Sequence, residues 1–411
     1  MKTLTHPSII KETMNMSFPL KVTMHVLGAA RTDVRVMREA TALAAAGGAV
    51  SIIDVESGGN LPVEEELEGI SLKHIIMADS FSATRFTRWP LLRALQLLIR
   101  SVLRLVQIPT DIYHAHDVSA LPACYVAARL RRKPLIFDAH ELPLPEEITI
   151  RWRWVQMLVA WMLHHIVPRC AGVITVSPPI AQEIQKRYHI PEVVLLRNVP
   201  AYRTVLKSDR LRDYLQLDPG TRIVLFQGYL QAIRGLDRLI RAAKFLDDNI
   251  VLVLMGKDMG GAVSQLMSLA ASEGVAERIK IVPAVPYAEL LEWTSSADIG
   301  VIIYQPDSSL NFRMCLPNKF FEYLMAGLPI LASPLDAISE VIRTYSVGQI
   351  VPSLAPADVG AAINTMLVDT VALAAMHHNA LDAAQEEFNW EKESQQLTRL
   401  YSAILARRGA K

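Results

Sequence analysis

The sequence predicts an α/β protein built from two Rossmann-like, doubly wound domains. Three observations carry this. The chain has 411 residues, too many for one ordinary core and close to two of about 200. From Lys21, "KVTMHVLGAA" reads as an apolar strand broken at Gly28, "RTDVRVMREATALAAAGG" as a helix stopped at Gly47 and Gly48, and "AVSIIDVE" as a second strand. Near Arg222 the same grammar restarts with "RIVLFQG", "GLDRLIRAAKFL" and "NIVLVLMG".

Taken in order, residues 1–20 form a loose arm: they lack an uninterrupted apolar run and a small-residue cleavage site, so no secretory signal is expected. A first domain follows over 21–200, with further strands at "DIYHAHD", "KPLIFDAHE" and "AGVITVS". The polar, proline-punctuated stretch 201–220 reads as a linker. The second domain runs over 221–387, with strands at "RIKIVPAV", "ADIGVIIY" and "LPILAS". Each strand ends in polar or small residues, where open parallel sheets place ligands. "VQMLVAWMLHHIV", Val155 to Val167, is too short for the roughly 20 residues of a membrane span. It is expected as a core helix.

Composition excludes several classes. Basic and acidic residues number 42 and 41, a net charge of +1, so nucleic acid has no global electrostatic attraction to this chain. Cys124, Cys170 and Cys315 stand far apart with no CxxC pair, which fits a reducing, cytoplasmic setting without disulfides or a zinc ribbon. Neither first strand is followed by GxGxxG, which disfavours a dinucleotide.

Two stretches of the second half point instead to a diphosphate. Arg234 and Gly235 precede a helix beginning near Leu236, and a helix N-terminus offers free N–H groups and a positive dipole end. In "LPNKFFEYLMAGLPILASP", Pro317 suits the first turn of a helix, Lys319 adds a full charge there, and Glu322 lies one turn further in, within reach of sugar hydroxyls. The plain alternatives are a solvated arginine in a turn and a Glu322 that caps its own helix.

"LPNKFFEYLMAGLPILAS", "FQGYLQAIRGLDRLIRAA", "VITVSPPIAQEI" and "FNWEKESQQLTRLYSAIL" together resemble the glycosyltransferase family 4 enzymes, over about Lys21 to Leu405. The resemblance implies the GT-B architecture, two Rossmann-like domains facing across a cleft, with the nucleotide-diphosphate sugar (UDP or GDP type) held by the second and the acceptor by the first. It implies a retaining transfer to a glycan or lipid-linked acceptor, commonly explained by front-face attack with the leaving phosphate as base. Glu322 matches the glutamate that bonds the ribose, Arg234 the basic residue on the diphosphate, and His116 the first-domain histidine that approaches the transferred sugar. Gly228, the first glycine of the second domain, Asn318 and Lys319 complete the expected donor set. Residues 388–411 resemble the family's last helix, which crosses back onto the first domain. Two positions depart from the pattern: Met314 stands where the family often has a glutamate eight positions before Glu322, and Tyr229 where an arginine often follows the glycine. Asn318 and Lys319 are expected to take over the roles of those two side chains.

No Asp-x-Asp motif lies at a strand end, so Arg234, Lys319 and a helix dipole are expected to neutralise the diphosphate without metal or other cofactor. A metal hydrolase is the competing chemistry, because His114 and His116 share a strand face and Asp117, His140 and Glu141 are near in sequence. A nucleotide-sugar-binding protein without turnover is the other alternative. On the acceptor side, Arg31 and Arg35 with Asp33 are expected to grip a phosphate, and His140 and Glu141 to line the site. In "WPLLRALQLLIRSVLRLVQIP", Arg93, Gln96, Arg100, Arg104 and Gln107 recur at helical spacing. With Trp89, Trp152, Trp154 and Trp161, they suggest peripheral contact with an anionic membrane.

Overall fold

A computed structural model describes residues 20–57, 62–77, 90–145 and 152–409. The expected arm, apart from Leu20, and Trp89 lie outside the described residues. The chain divides into two compact units: unit 1 takes residues up to Val176, then Ala181–Leu196 and Ser394 onwards, and unit 2 takes Ser177–Ile180 and Arg197–Glu393.

Among the described residues unit 1 has eight strands: β1 (Lys21–His25), β2 (Ala49–Ser57), β3 (Glu64–Leu67), β4 (Ile70–Met77), β5 (Ile112–His116), β6 (Leu135–Ala139), β7 (Gly172–Thr175) and β8 (Val194–Leu195). Their order is β3-β4-β2-β1-β5-β6-β7-β8, parallel except for the β3–β4 hairpin. Neither that hairpin nor β8 is among the strands expected from sequence. β3 is a short acidic edge, "EEEL", with no apolar alternation to reveal it. β1 pairs with β2 on one side and β5 on the other, Met24 opposite both Ile52 and His114. Chain order therefore reverses there, which makes the carboxyl ends of β1 and β5 the switch point of the sheet.

The connecting helices are α1 (Val34–Ala45), α2 (Pro90–Gln107), α3 (Asp117–Arg131), α4 (Arg153–Ile166) and α5 (Pro178–Tyr188). Asp33 caps α1, its carboxylate accepting from the N–H groups of Arg35 and Val36. The rule that parallel crossovers are right-handed puts α2, α3 and α4 on one face of the sheet and α1 on the other; Tyr113 of β5 donates to the Leu105 carbonyl of α2 while His114 faces Glu39 of α1, and α2 packs along α3. α4 is only half a core helix. Val155, Leu163 and Ile166 are buried, but Met157, Leu158 and Trp161 face outward.

Unit 2 begins with the stretch expected as a linker, which instead joins this core through α6 (Arg210–Leu215) and its fully buried Leu211. Its sheet is wholly parallel: β9 (Arg222–Gln227), β10 (Ile250–Gly256), β11 (Ile279–Pro283), β12 (Ile299–Ile302), β13 (Ile330–Ala332) and β14 (Gly348–Ile350), in the order β11-β10-β9-β12-β13-β14. The switch point lies between β9 and β12. Helices α7 (Leu236–Ala242), α8 (Ala262–Ser272), α9 (Leu290–Thr294), α10 (Leu310–Met314), α11 (Asn318–Met325), α12 (Asp336–Tyr345), α13 (Pro356–Val368), α14 (Thr370–Glu386) and α15 (Trp390–Gly409) follow in turn. From Ser394 on, α15 belongs to unit 1.

In α11, Phe320, Phe321, Tyr323 and Leu324 are fully buried. Truncating one such phenylalanine to alanine costs about 3–5 kcal/mol, so packing holds this helix and with it the polar residues at its head. Gly327 ends it at a φ of 65°, the left-handed conformation that favours glycine. Among the described residues no single helix is long and apolar enough to cross a membrane.

Candidate functional site

In unit 2 the polar side chains gather at the switch point. β9 ends in Gln227, and its side-chain amide donates to Glu322 Oε2 at 2.5 Å while its carbonyl accepts from Thr294 Oγ1 at 2.7 Å. Gln227 thus holds the Glu322 carboxylate at the end of β9. Pro317 is the N-cap of α11, one residue outside the helix, with Asn318 first. Asn318 is exposed, and its Oδ1 accepts from Asn198 Nδ2 at 3.0 Å.

Lys319 is buried, its Nζ 3.4 Å from the centroid of the Phe226 ring and 5.6 Å from that of Tyr304, with no hydrogen-bond partner among the described residues. Burial, then the nearby Arg234 guanidinium, hold its pKa well below the usual lysine range. Gly228, which follows β9 at a φ of 122°, lies against this ammonium: a Cβ there would meet Nζ at 3.2 Å. Arg234 donates to the Tyr304 hydroxyl at 2.9 Å, and its Nε is buried without a partner among the described residues. Burial pushes the Tyr304 hydroxyl up to about 12, so it stays a neutral acceptor. Gly235, next along, has a φ of 75°, and a Cβ there would meet the Ile303 carbonyl at 1.8 Å. Only glycine fits that turn. Of the departing positions, Tyr229 is half exposed with Arg234 5.9 Å from its ring centroid, and Met314 contributes its backbone carbonyl to the Ser177 hydroxyl at 2.6 Å.

This constellation can bind a diphosphate. Two cationic side chains with unmet donors stand beside the free N–H groups at the start of α11, and one buried carboxylate next to them is an acceptor for hydroxyls.

In unit 1 the switch point holds a second cluster. His116, at the end of β5, is fully buried and donates through Nδ1 to Asp138 Oδ2 at 3.2 Å, with His140 Nε2 at 3.3 Å. His114 stacks on it, ring centroids 4.4 Å apart, and its Nδ1 meets the Tyr401 hydroxyl of α15 at 2.8 Å. Burial lowers the pKa of both imidazoles. His140 goes the other way: burial pulls it down, but the charge and hydrogen bond of Asp138, 3.0 Å away, outweigh that and raise it. The cluster therefore pairs a neutral buried imidazole with one that holds its proton more tightly.

Arg35 corrects one expectation. It is buried, not poised for an acceptor phosphate: Nε and Nη2 donate to Asp138 at 2.7 and 2.6 Å, and Nη1 to the Leu196 carbonyl at 2.8 Å. The guanidinium is a structural tie between β6 and the end of β8. Asp33 is the α1 cap, and Arg31 pairs with Glu56 and Glu65 at 3.2 and 3.1 Å. Glu141 is exposed.

Glu39, His114, His116 and Asp138 come close enough to hold a metal ion, but the donor set does not fit one. Arg35 already occupies Asp138 and lies 3.1 Å from Glu39, so a divalent cation would be forced against a fixed guanidinium. Burial and the Asp138 charge also raise the Glu39 pKa well above its ordinary value, which disfavours the carboxylate a metal ion would need.

Sequence reasoning missed Asp138, Glu39, Gln227, Tyr304 and Tyr401. A usable signal existed for the first and third: "LIFDA" and "RIVLFQ" are apolar strands interrupted by one polar residue at the carboxyl end.

Two parallel sheets, each with its polar cluster at the switch point, define a GT-B glycosyltransferase architecture. The chain belongs to glycosyltransferase family 4: residues 32–199 match the model for Glycosyltransferase Family 4, and residues 221–369 that for Glycosyl transferases group 1. It is similar to the D-inositol 3-phosphate glycosyltransferase of Thermobispora bispora, 26% identical over 242 residues, 55% of this chain and 54% of the relative. The match thus spans about half of that relative's length. Among solved structures, sucrose-phosphate synthase from Thermosynechococcus elongatus superposes with a TM-score of 0.77 at 17% identity, over 94% of this chain and all of that one. Anabaena Alr3699/HepE, in complex with UDP and glucose, gives 0.73 at 16% over 93% of this chain and all of its own.

Proposed function

We propose that the protein is a retaining glycosyltransferase that moves a sugar from a nucleotide-diphosphate donor of UDP or GDP type to a glycan or lipid-linked acceptor, in polysaccharide or glycolipid synthesis. The observation that carries the reading is Lys319: a buried ammonium with no hydrogen-bond acceptor among the described residues, beside Arg234 and one helical turn from Glu322. A diphosphate is the ligand that satisfies both cations at once, and a ribose the one that uses the carboxylate.

In this reading Arg234, Lys319 and the start of α11 neutralise the charge on the departing diphosphate. No metal or additional cofactor is required. Gly228 lets the donor approach the backbone closely, Asn318 helps do for the sugar what a methionine at 314 cannot, and Glu322 holds the ribose. His116, kept neutral by burial, meets the transferred sugar, with His140 and Glu141 towards the acceptor. The enzyme works in the cytoplasm with peripheral contact at the inner membrane face.

Met314, in place of a glutamate, favours one second reading, a protein that binds the nucleotide sugar without turning it over. Thermal stability in separate wells of UDP, GDP, ADP, NAD and EDTA is the first test. A ligand at about 100 times its Kd adds roughly 2.7 kcal/mol, so one nucleoside diphosphate should raise Tm, with EDTA inert. A response to NAD, or collapse in EDTA, would remove the proposal. Release of the nucleoside diphosphate from its sugar in the presence of acceptor separates turnover from binding alone.

A further inference from the structure

α2 does not present its arginines alone to solvent. Leu92, Leu95, Ile99 and Leu103 are each at least half exposed, and their spacing puts them in one stripe along the helix. The opposite side, with Leu97, Ser101 and Leu105, is buried against unit 1. α4 repeats the pattern: Trp154, Met157, Leu158 and Trp161 are each more than half exposed, again at three and four residue spacing. Leu130 of α3, the helix between them in the sequence, is 66% exposed. Because the right-handed crossovers put all three helices on one side of the sheet, these side chains form an apolar face on unit 1 that nothing in the described chain covers.

The charge carried by the helices of that face is predominantly basic, although Glu64 of the acidic β3 edge lies near Arg104. α2 and α4 carry arginines, among them Arg100, Arg104 and Arg153, and no carboxylate. Arg129 and Arg131 are exposed at the end of α3. A second copy of this chain packed face to face would set the arginines of α2 and α4 against each other with no carboxylate on either helix to offset them, and apolar burial would have to overcome that repulsion. An anionic lipid surface meets both features. Leucine and tryptophan enter the boundary between headgroups and acyl chains, while arginines remain among the phosphates.

We infer that the outer face of α2, α3 and α4 is the surface through which unit 1 docks on an anionic lipid bilayer, with Trp154, Trp161 and the Leu92–Leu103 stripe inserted. This rests on the peripheral placement proposed above and is independent of the donor chemistry.

Flotation with phosphatidylcholine vesicles, with and without about a quarter phosphatidylglycerol, tests it. Four proteins are compared: the full chain, Leu95→Gln/Ile99→Gln, Trp154→Gln/Trp161→Gln and Arg100→Gln/Arg153→Gln. Val371→Gln serves as a control, since Val371 is an exposed residue of unit 2. All substituted side chains but Arg153 and Arg100 are apolar and outward-facing, and circular dichroism confirms that each variant folds. The full chain and the control should float with anionic vesicles at low salt and not with neutral ones. Each face variant should bind about tenfold more weakly, and added salt should release the protein as charges become screened beyond about 10 Å. Equal binding by the face variants would overturn the assignment of this face while leaving peripheral contact standing. No flotation at low salt would overturn both, and UDP binding measured in the same samples would show whether the donor reading survives. A concentration-dependent dimer lost in the face variants, without flotation, would overturn the proposal in favour of a second copy.

Discussion

Lys319 points its ammonium at the face of the Phe226 ring, 3.4 Å from the centroid, and makes no hydrogen bond among the described residues. A buried charge held by ring faces and, without a hydrogen bond, by the Glu322 carboxylate, which do not offset its burial, is destabilising until an anion arrives. Lys319→Met should therefore leave Tm unchanged or raise it, while weakening UDP or GDP binding by roughly 10- to 100-fold, the value of about 1.5–3 kcal/mol for a charged hydrogen bond. The lowered lysine pKa fixes the pH dependence. Wild-type stability relative to Lys319→Met should improve as pH rises from the depressed folded value towards the ordinary value of about 10.4, because the unfolded chain binds the extra proton in that window. Diphosphate affinity should fall over the same rise. Unfolding curves and calorimetry across pH check both, and an unchanged Kd in Lys319→Met would place the donor elsewhere.

In the proposed reading Glu322 serves the ribose and the two cations serve the diphosphate. The 2.5 Å contact with Gln227 fixes the carboxylate at the end of β9. Glu322→Ala should weaken nucleoside diphosphate binding about tenfold, near the lower end of the range for a hydrogen bond to a charged group, and leave inorganic diphosphate binding unaltered. Competition of both ligands against a fluorescent nucleotide gives the two constants. Equal losses would mean that Glu322 acts on the phosphates or on the fold.

Much of this was legible in the sequence because its causes are local. The strand ending at Gly228, the Arg234–Gly235 turn and the amphipathic "KFFEYLM" helix follow from patterns a few residues long. Arg35 was misread because its partner Asp138 is 103 residues away; side-chain type gave its charge but not its burial. Of the unpredicted strands, β3, β8 and β14 are short or lack alternation, so neighbouring strands define them rather than their own residues, whereas β4 is eight residues long and buries alternate side chains over its first half. The same limit applies to α2 and α4, where periodicity exposes a helix but not which side meets the sheet.

Asp138 is shared by Arg35, His116 and His140, and its removal tests how the cluster stores charge. Glu39, 3.1 Å from Arg35, is pushed towards its neutral form by burial and by Asp138 itself. Once Asp138→Asn removes that repulsion, Glu39 can ionise and pair with the guanidinium. Asp138→Asn should thus cost less than the about 3–5 kcal/mol of a broken buried pair, and Asp138→Asn/Glu39→Gln should cost that full amount. Glu39→Gln alone should be nearly neutral. Denaturant titration of the cycle measures the coupling, and additive effects would contradict it.

His140 supplies the pH signature of the same cluster. Its folded pKa is raised by Asp138, so the pair's contribution is complete below the unfolded value of about 6.5 and fades as pH rises through the raised folded value. The stability gap between wild type and His140→Gln should be widest on the acid side of that window, down to where Asp138 itself protonates. A gap independent of pH would mean that His140 is neutral in the folded protein.

Tyr401 reaches His114 from the C-terminal helix, hydroxyl to Nδ1 at 2.8 Å, both fully buried. His114 in turn stacks on His116, so the last helix helps fix the ring proposed to meet the sugar. Tyr401→Phe keeps the packing and removes one hydrogen bond, a loss of about 1 kcal/mol or roughly 2–4 °C in Tm for a unit of this size. Deleting residues 394–411 also removes the buried Leu397 and Ile404, at about 2–5 kcal/mol for each large aliphatic side chain, and should unfold unit 1. The informative comparison is turnover against stability. If Tyr401 positions the histidine pair, Tyr401→Phe should lower kcat without changing UDP binding, whereas equal kcat in the two proteins would leave it a packing residue alone.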